Sequence, residues 1–302
     1  MDLKSKIVLI YGPTASGKSD FAIRLAKKIK GEIINADSMQ VYKELKILTA
    51  RPLKKDYQKI KHHLYGFIEG KKSFSTGDWL KLATKKIYEI KRKKKVPILV
   101  GGTGLYYKAL VEGLVKIPNI PSTFRNKVRK LHKELGQEKF YKKLIKIDPI
   151  LINQIKSTDT QRSIRAYEVK MFTKKSILIW YENTKSDFIK RDFYKIIIDF
   201  PRSKLIEKIN ARSVAMLENG AISEVKKLLK LKISKDKSIS KAIGIYEIKD
   251  YLNKLAIKEQ IAEKISIKTR QYAKRQVTWA RGHMADWKKI NPKRLNNFLK
   301  KI

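Results

Sequence analysis

An apolar run, Ile7-Val8-Leu9-Ile10, leads into a glycine-rich octet, Gly12-Pro13-Thr14-Ala15-Ser16-Gly17-Lys18-Ser19, and apolar residues then recur at helical spacing at Phe21, Ala22, Leu25, Ala26 and Ile29. Strand, tight turn and helix in that order commit a chain to α/β architecture, because the helix must cross back over the sheet before a parallel neighbour can begin. The octet fits G-x-x-x-x-G-K-[ST]. In such a turn consecutive backbone N–H groups point at phosphate oxygens, and the helix adds its positive N-terminal end. Lys18 is expected to hold a terminal phosphate and Ser19 to ligate Mg²⁺. Most turns of this kind serve ATP or GTP, so nucleotide binding is the first expectation. The pattern specifies a phosphate, not a reaction.

Two further strands end in residues with chemical potential. Glu32-Ile33-Ile34-Asn35-Ala36 runs into Asp37-Ser38-Met39-Gln40-Val41-Tyr42, and Val96-Pro97-Ile98-Leu99-Val100 delivers Gly101-Gly102-Thr103-Gly104. Ligands of open α/β sheets bind beyond the carboxyl ends of the strands, which would bring Asp37 to the same crevice as the octet. An aspartate there equally serves as a turn or helix cap. The glycine pair at 101 and 102 is expected to bare backbone N–H groups beside the Thr103 hydroxyl, although a tight strand-to-helix turn uses glycine for its own sake. Ile196-Ile197-Ile198-Asp199 mimics the Asp-ending strand that helps hold Mg²⁺ in nucleotide hydrolases, and Asp199 is kept as a minor candidate. The doublet His62-His63 is open between a metal or phosphate role and simple packing.

Beyond Gly113 the strand–helix alternation stops. Pro118 and Pro121 punctuate a linker, and helical segments follow around 124–135, 140–147 and 160–172. The fold class expected is α/β, a parallel sheet like that of P-loop NTPases flanked by helices, with a helical insertion domain. The parts are 1–114, the first half of the core; 115–185, the insertion; and 186–302, the rest of the core with basic C-terminal helices. Arg162 and Arg165 lie one turn apart on the insertion's last helix and can grip phosphates or simply face solvent. A helix over 205–217 carries Arg212, and a long one over 258–281 repeats Ile261, Ile265, Tyr272 and Trp279 on its buried face. Arg270, Lys274 and Arg281 make a basic ridge on another face, suited to an RNA backbone.

Charge points the same way. The 302 residues hold 71 Lys+Arg against 28 Asp+Glu, a formal net charge of +43. Such an excess calls for a polyanionic partner, nucleic acid first, since neutralised phosphates release counterions. Drift in an AT-rich genome enriches Lys, but does not by itself favour Lys so strongly over Asp and Glu. There is no cysteine, which excludes disulfides, thiolate chemistry and Cys-ligated zinc. Met1-Asp2-Leu3-Lys4 enters the first strand without a signal-peptide core, and no apolar run has transmembrane length, so a cytoplasmic protein is expected.

Four motifs in order, Gly12–Ser19, Asp37–Tyr42, Gly101-Gly102-Thr103-Gly104-Leu105-Tyr106 and Thr269-Arg270-Gln271-Tyr272-Ala273-Lys274-Arg275-Gln276, resemble the bacterial tRNA dimethylallyltransferases, also called tRNA isopentenyltransferases. The resemblance extends through Asp159-x-x-Arg162-x-x-Arg165-Ala166, Met216-Leu217-Glu218-x-Gly220 and Ala242-Ile243-Gly244. It implies transfer of a dimethylallyl group from dimethylallyl diphosphate to N6 of the adenosine 3′ of the anticodon in tRNA. The octet would then grip a leaving diphosphate. By the same resemblance Asp37 is the general base, Thr103 bonds the bridging oxygen of the diphosphate, and Lys18 and Arg212 stabilise the departing charge. Ser38, Met39, Gln40, Thr103, Arg125, Gln161, Arg162, Ser163, Ile164 and Arg165, with Asp37, match segments that contact tRNA. A Mg²⁺-dependent monomer with no membrane contact is implied. The chain departs from the family at Lys43-Glu44-Leu45-Lys46-Ile47-Leu48, which lacks two usual glycines, and at Ile245, where tyrosine is usual. The alternative is an ATP-dependent kinase of a small molecule or nucleotide, resting on the octet and Asp199.

Overall fold

The structure, a computed structural model, describes residues 3–182 and 184–302, the side chains of Lys54 and Asp56 aside; Met1 and Asp2, where the N-terminus was expected to lack a leader, lie outside them. The chain divides into two compact units, one of Met1–Val111 with Asp187–Ile302 and one of Glu112–Ser186.

The first unit is built on strands β1 (Ile7–Tyr11), β2 (Gly31–Asn35), β3 (His62–His63), β4 (Val96–Gly101), β5 (Phe193–Ile198) and β6 (Lys288–Ile290). Among the described residues they form one sheet in the order β3-β2-β4-β1-β5-β6, every pairing parallel. Helices α1 (Lys18–Lys28), α2 (Thr76–Arg92) and α3 (Gly104–Glu112) connect or follow the first strands. After β5 come α7 (Arg202–Glu218), α8 (Ala221–Lys230), α9 (Ile245–Leu252), α10 (Lys258–His283) and α11 (Leu295–Lys300). The labels α4 to α6 belong to the second unit.

Parallel strands are covered on both faces, so they read as unbroken apolar runs while their side chains still alternate. Ile7, Leu9 and Tyr11 pack on one face with Trp79, Ile87 and Tyr107; Val8 and Ile10 pack on the other with Phe21, Leu25 and Phe298. β1 lies between β4 and β5, and β2 borders β4. The turns leaving β1, β2 and β4 therefore emerge side by side at the carboxyl edge. A third core joins Val41, Tyr42 and Leu45 to Leu217, Val225, Ile248, Ile261 and Ile265, tying the segment after β2 to the C-terminal helices.

The histidine doublet is an edge strand and packs. His62 stacks on Tyr57 with ring centroids 3.9 Å apart, and His63 Nε2 lies 2.7 Å from Oε2 of the buried Glu32, whose other oxygen meets Lys95 Nζ at 2.8 Å. The segment 43–50, without the family's glycines, takes its shape from a distant side chain. The Glu224 carboxylate accepts hydrogen bonds from the N–H groups of Lys46, Ile47 and Leu48 at 2.8, 2.8 and 2.9 Å.

The second unit comprises α4 (Ser122–Ile147), α5 (Thr160–Thr173) and α6 (Ile177–Glu182). Gly136, at φ 72° and ψ 168°, breaks α4 between the two helical segments expected from sequence. The unit has its own core of Val128, Phe140, Leu144, Leu151, Ala166, Tyr167 and Val169.

Candidate active site

The octet turns immediately beyond Tyr11. Ala15 and Gly17 both take left-handed backbone, φ 63° and 79°, and α1 begins at Lys18 with no side chain capping it. The first N–H groups of α1 thus stay available to an anion. Not every N–H of the octet does. The Thr14 N–H donates to Gln276 Oε1 at 2.8 Å, and the Ser16 N–H to the Pro13 carbonyl at 3.3 Å. Thr14 is held at its side chain too, where Arg212 Nη1 donates to Oγ1 at 3.2 Å. Ser16 Oγ is buried and has no hydrogen-bond partner among the described residues. Lys18 Nζ donates to the Pro13 carbonyl at 3.1 Å; burial pulls this amine from the ordinary lysine value down to about 8, opposed by the nearby Asp37 and reinforced by Arg212. Burial likewise lowers Arg212, again opposed by Asp37.

The β2 and β4 turns are stitched to each other. The Ala36 N–H donates to the Val100 carbonyl at 2.8 Å, and the Thr103 N–H to the Ala36 carbonyl at 3.2 Å. The approach is close enough that a Cβ on Gly101 would lie 2.0 Å from the Ala36 oxygen, so only glycine fits. The Thr103 N–H is committed to its bond with the Ala36 carbonyl. Its hydroxyl accepts from the Ser38 N–H at 2.9 Å and lies 3.3 Å from Ser38 Oγ. The fully buried Asn35 orients Asp37: its Oδ1 accepts from the Asp37 N–H at 2.9 Å, while its Nδ2 donates to the carbonyls of Asp37 and Leu64 at 2.9 and 3.0 Å. Asp37 Oδ1 in turn accepts from the Met39 N–H at 2.9 Å. The Gln40 amide is spent on the carbonyls of Thr49 and Ala50, at 2.9 and 3.3 Å.

These groups share cavities. One of about 360 Å³ is walled by residues 14–19 with Asp37, Gln40, Lys208 and Arg212. Another of about 320 Å³ shares Thr14, Asp37 and Arg212 and runs over Ser38, Met39, Ile209, Met216, Ile265 and Tyr272. A cationic cavity along the octet and a chamber with one apolar wall, opposed by Ser213, Lys241, Thr269 and Arg275, thus share Asp37. Asp199 is not in either wall. It is exposed, its N–H donates to the Ile290 carbonyl at 3.0 Å, and it borders a separate cavity of about 650 Å³ with Arg270, Lys274 and Arg281. The kinase alternative loses its metal ligand. On the basic ridge Arg270 is half-buried and donates to Asn210 Oδ1 at 3.0 Å and Glu263 Oε1 at 3.1 Å, while Lys274 and Arg281 are exposed.

The remaining sequence candidates are in the second unit. The carboxylate of Glu168, only 2 % exposed, meets Arg165 Nη1 at 3.3 Å and Arg125 Nε at 3.6 Å. Arg162 pairs with the α5 cap Asp159 at 2.7 Å and stays mostly exposed, and Gln161 is exposed. Ser163 does not belong to this surface: it is fully buried, and its hydroxyl donates to the Asp159 carbonyl at 2.7 Å. Ile164 packs on the unit's core.

Asn35 and Gln276 carry no role in the sequence reading. The signal for Gln276 is its register: on α10 it falls between the buried Ala273 and Ala280, a polar residue at a core position. On the described face Tyr272 and Trp279 are half-buried, and Ala273, Gln276 and Ala280 take the core positions instead.

A family model described as IPP transferase matches residues 40–283. The tRNA dimethylallyltransferase of Pelagibacter ubique is 61% identical over 302 residues, covering 100% of this chain and 96% of its own length. That of Rickettsia massiliae is 44% identical, covering 94% and 78%. Among solved structures, the tRNA isopentenylpyrophosphate transferase of Bacillus halodurans superposes with a TM-score of 0.69 at 32% identity, covering 98% of this chain and 95% of the other. A eukaryotic dimethylallyltransferase crystallised acting on tRNA gives 0.83 at 28% identity, covering 95% and 73%.

Proposed function

The chain belongs to the IPP transferase family, and on that premise we propose that it transfers a dimethylallyl group from dimethylallyl diphosphate to N6 of the adenosine 3′-adjacent to the anticodon of tRNA, releasing diphosphate. The observation that carries this reading is the meeting, at Asp37, of a phosphate cradle and a chamber with an apolar wall. The apolar side chains of Met39, Ile209, Met216 and Ile265 suit the dimethylallyl chain of a prenyl diphosphate whose charged end lies in the cradle.

The adenine N6 attacks the allylic carbon as its bond to the bridging oxygen breaks. Negative charge gathers on the diphosphate, and the amino proton passes to Asp37. An exocyclic amine is a weak nucleophile until that proton leaves, so a carboxylate within reach contributes directly. Lys18, Arg212 and the first N–H groups of α1 face the developing anion. The Thr103 hydroxyl, oriented by Ser38, is the donor suited to the bridging oxygen. The base must leave its stack to reach the chamber, as for other enzymes that modify bases.

Mg²⁺ fits the donor set. Among the described residues no group of three or more His, Cys, Asp or Glu forms a metal cage, while the cradle wall offers the Ser19 hydroxyl and the carboxylates of Asp20 and Asp37. That is how Mg²⁺ is held, with few protein ligands and the substrate's own phosphates. Bound there, it would neutralise charge on the leaving diphosphate.

The RNA partner is supported by the net charge of +43 and by Arg125, Arg162 and Arg165 on the second unit. No helix among the described residues is long and apolar enough to cross a membrane; a cytoplasmic location and a monomeric state are part of the proposal. Incubation with isotope-labelled dimethylallyl diphosphate and unmodified tRNA, followed by nucleoside mass analysis, should find label on N6 of one adenosine. Folded protein that transfers nothing, or that turns over Mg·ATP without RNA, overturns the reading.

A further inference from the structure

We propose that Gln276 is a positioning residue for the transfer step, setting the distance between the phosphate loop and the Thr103 turn. The inference rests on the reaction proposed above. Gln276 is 5 % exposed, in the C-terminal half of α10. Its Oε1 accepts from the Thr14 N–H at 2.8 Å, and its Nε2 donates to the Gly102 carbonyl at 2.9 Å. One planar amide thus spans the turns that leave β1 and β4, with its acceptor end on one and its donor end on the other. Among side chains of that length only a protonated glutamic acid also offers both. The fit is close: a Cβ on Gly102 would lie 2.0 Å from Gln276 Nε2. Even the backbone of residue 276 joins in, since its carbonyl accepts from Tyr11 Oη at 2.9 Å.

The two turns carry opposite ends of one chemical event. Thr14 is also bonded to Arg212, which faces the diphosphate, and Gly102 adjoins Thr103, the donor to the bridging oxygen. Charge moves onto that oxygen only as the carbon–oxygen bond breaks. An error in spacing between the turns therefore weakens the transition state more than the ground state. Affinity for the donor rests on groups that Gln276 does not touch, namely Lys18, Arg212 and the α1 N–H groups. The residue accordingly acts on kcat rather than on KM for the donor.

Two variants test this. Gln276→Met keeps the volume and loses both hydrogen bonds; Gln276→Glu keeps the acceptor for Thr14 but, when ionised, sets an oxygen against the Gly102 carbonyl. Both should lower kcat on the order of 10–100-fold, with KM for dimethylallyl diphosphate little changed. Burial raises a carboxylic acid's pKa, and the protonated acid can donate to Gly102. Activity of Gln276→Glu relative to wild type should therefore recover as the pH falls from about 9 to about 6. Gln276→Met should show no such recovery. Thermal melts establish that each variant folds, and if Gln276→Met does not, the pH profile of Gln276→Glu decides alone. An unchanged kcat, a loss confined to KM, or a flat relative profile for Gln276→Glu overturns the assignment. Absence of transfer by the wild-type protein would instead overturn the reaction itself.

Discussion

Asp37 is held through one oxygen. Oδ1 accepts from the Met39 N–H, and among the described residues no donor is bonded to Oδ2. Asp37→Asn keeps the first arrangement and removes the ability to accept a proton. It should cut kcat by roughly 10²–10⁴-fold while leaving tRNA affinity near wild type, as steady-state kinetics and anisotropy titration would measure. A matching loss of tRNA affinity would mean that Asp37 serves binding. The carboxylate also supports the charge on Lys18, so the variant belongs at a pH well below 8. Lys18 has a pH signature of its own. Its ammonium is present below about 8 and lost above, so affinity for inorganic diphosphate should fall as pH rises through that value. Lys18→Arg, which does not titrate in this range, should bind with a flat profile in calorimetry. Stability has the opposite sign. The folded amine sheds its proton before the unfolded one, so its cost is full below about 8 and fades as pH rises toward the ordinary lysine value.

The segment 43–50 shows an element whose form is written elsewhere. Three consecutive N–H groups converge on Glu224, in the first turn of α8. Glu224→Gln replaces one accepting oxygen with a donor that faces N–H groups, and should destabilise by about 1–3 kcal/mol, read as a lowered melting midpoint; a change within error would show the segment to be set by its own sequence. The same distinction explains what was legible in advance. β1, β2, β4 and β5 announce themselves as apolar runs, and the residues that follow them reach the sheet edge by rule. β3 has only His62-His63, with no apolar pattern, and exists because Glu32 and Tyr57 hold it. Asp37 and Thr103 were readable as strand-end residues, whereas the Ser38–Thr103 and Thr14–Gln276 bonds join positions that no spacing relates. Ser163 was misplaced because a motif marks a stretch, and only the helix's rotation decides which members face out. A periodic basic ridge likewise does not show that Arg270 has an asparagine and a glutamate beside it.

At the scale of the molecule, charge dominates. With 71 basic against 28 acidic residues the folded chain repels itself, and screening relieves it. The melting midpoint should rise as monovalent salt goes from about 20 to about 300 mM, over a range where tRNA affinity falls steeply on a logarithmic plot. Scanning fluorimetry and filter binding would measure the two; a midpoint that falls with salt would show that ion pairs outweigh the repulsion. The insertion of the second unit between Val111 and Asp187 also imposes an order on synthesis. On the ribosome, residues 112–186 emerge in full, with every member of their own core, while β1 still lacks its partner β5. Domains fold as units while the chain grows, so the inserted unit can complete itself against an unfinished sheet. The phosphate loop leaves the tunnel among the earliest residues, yet Thr14 meets Arg212 and Gln276 only after most of the chain has followed. The first piece of the site to be made is among the last to be set.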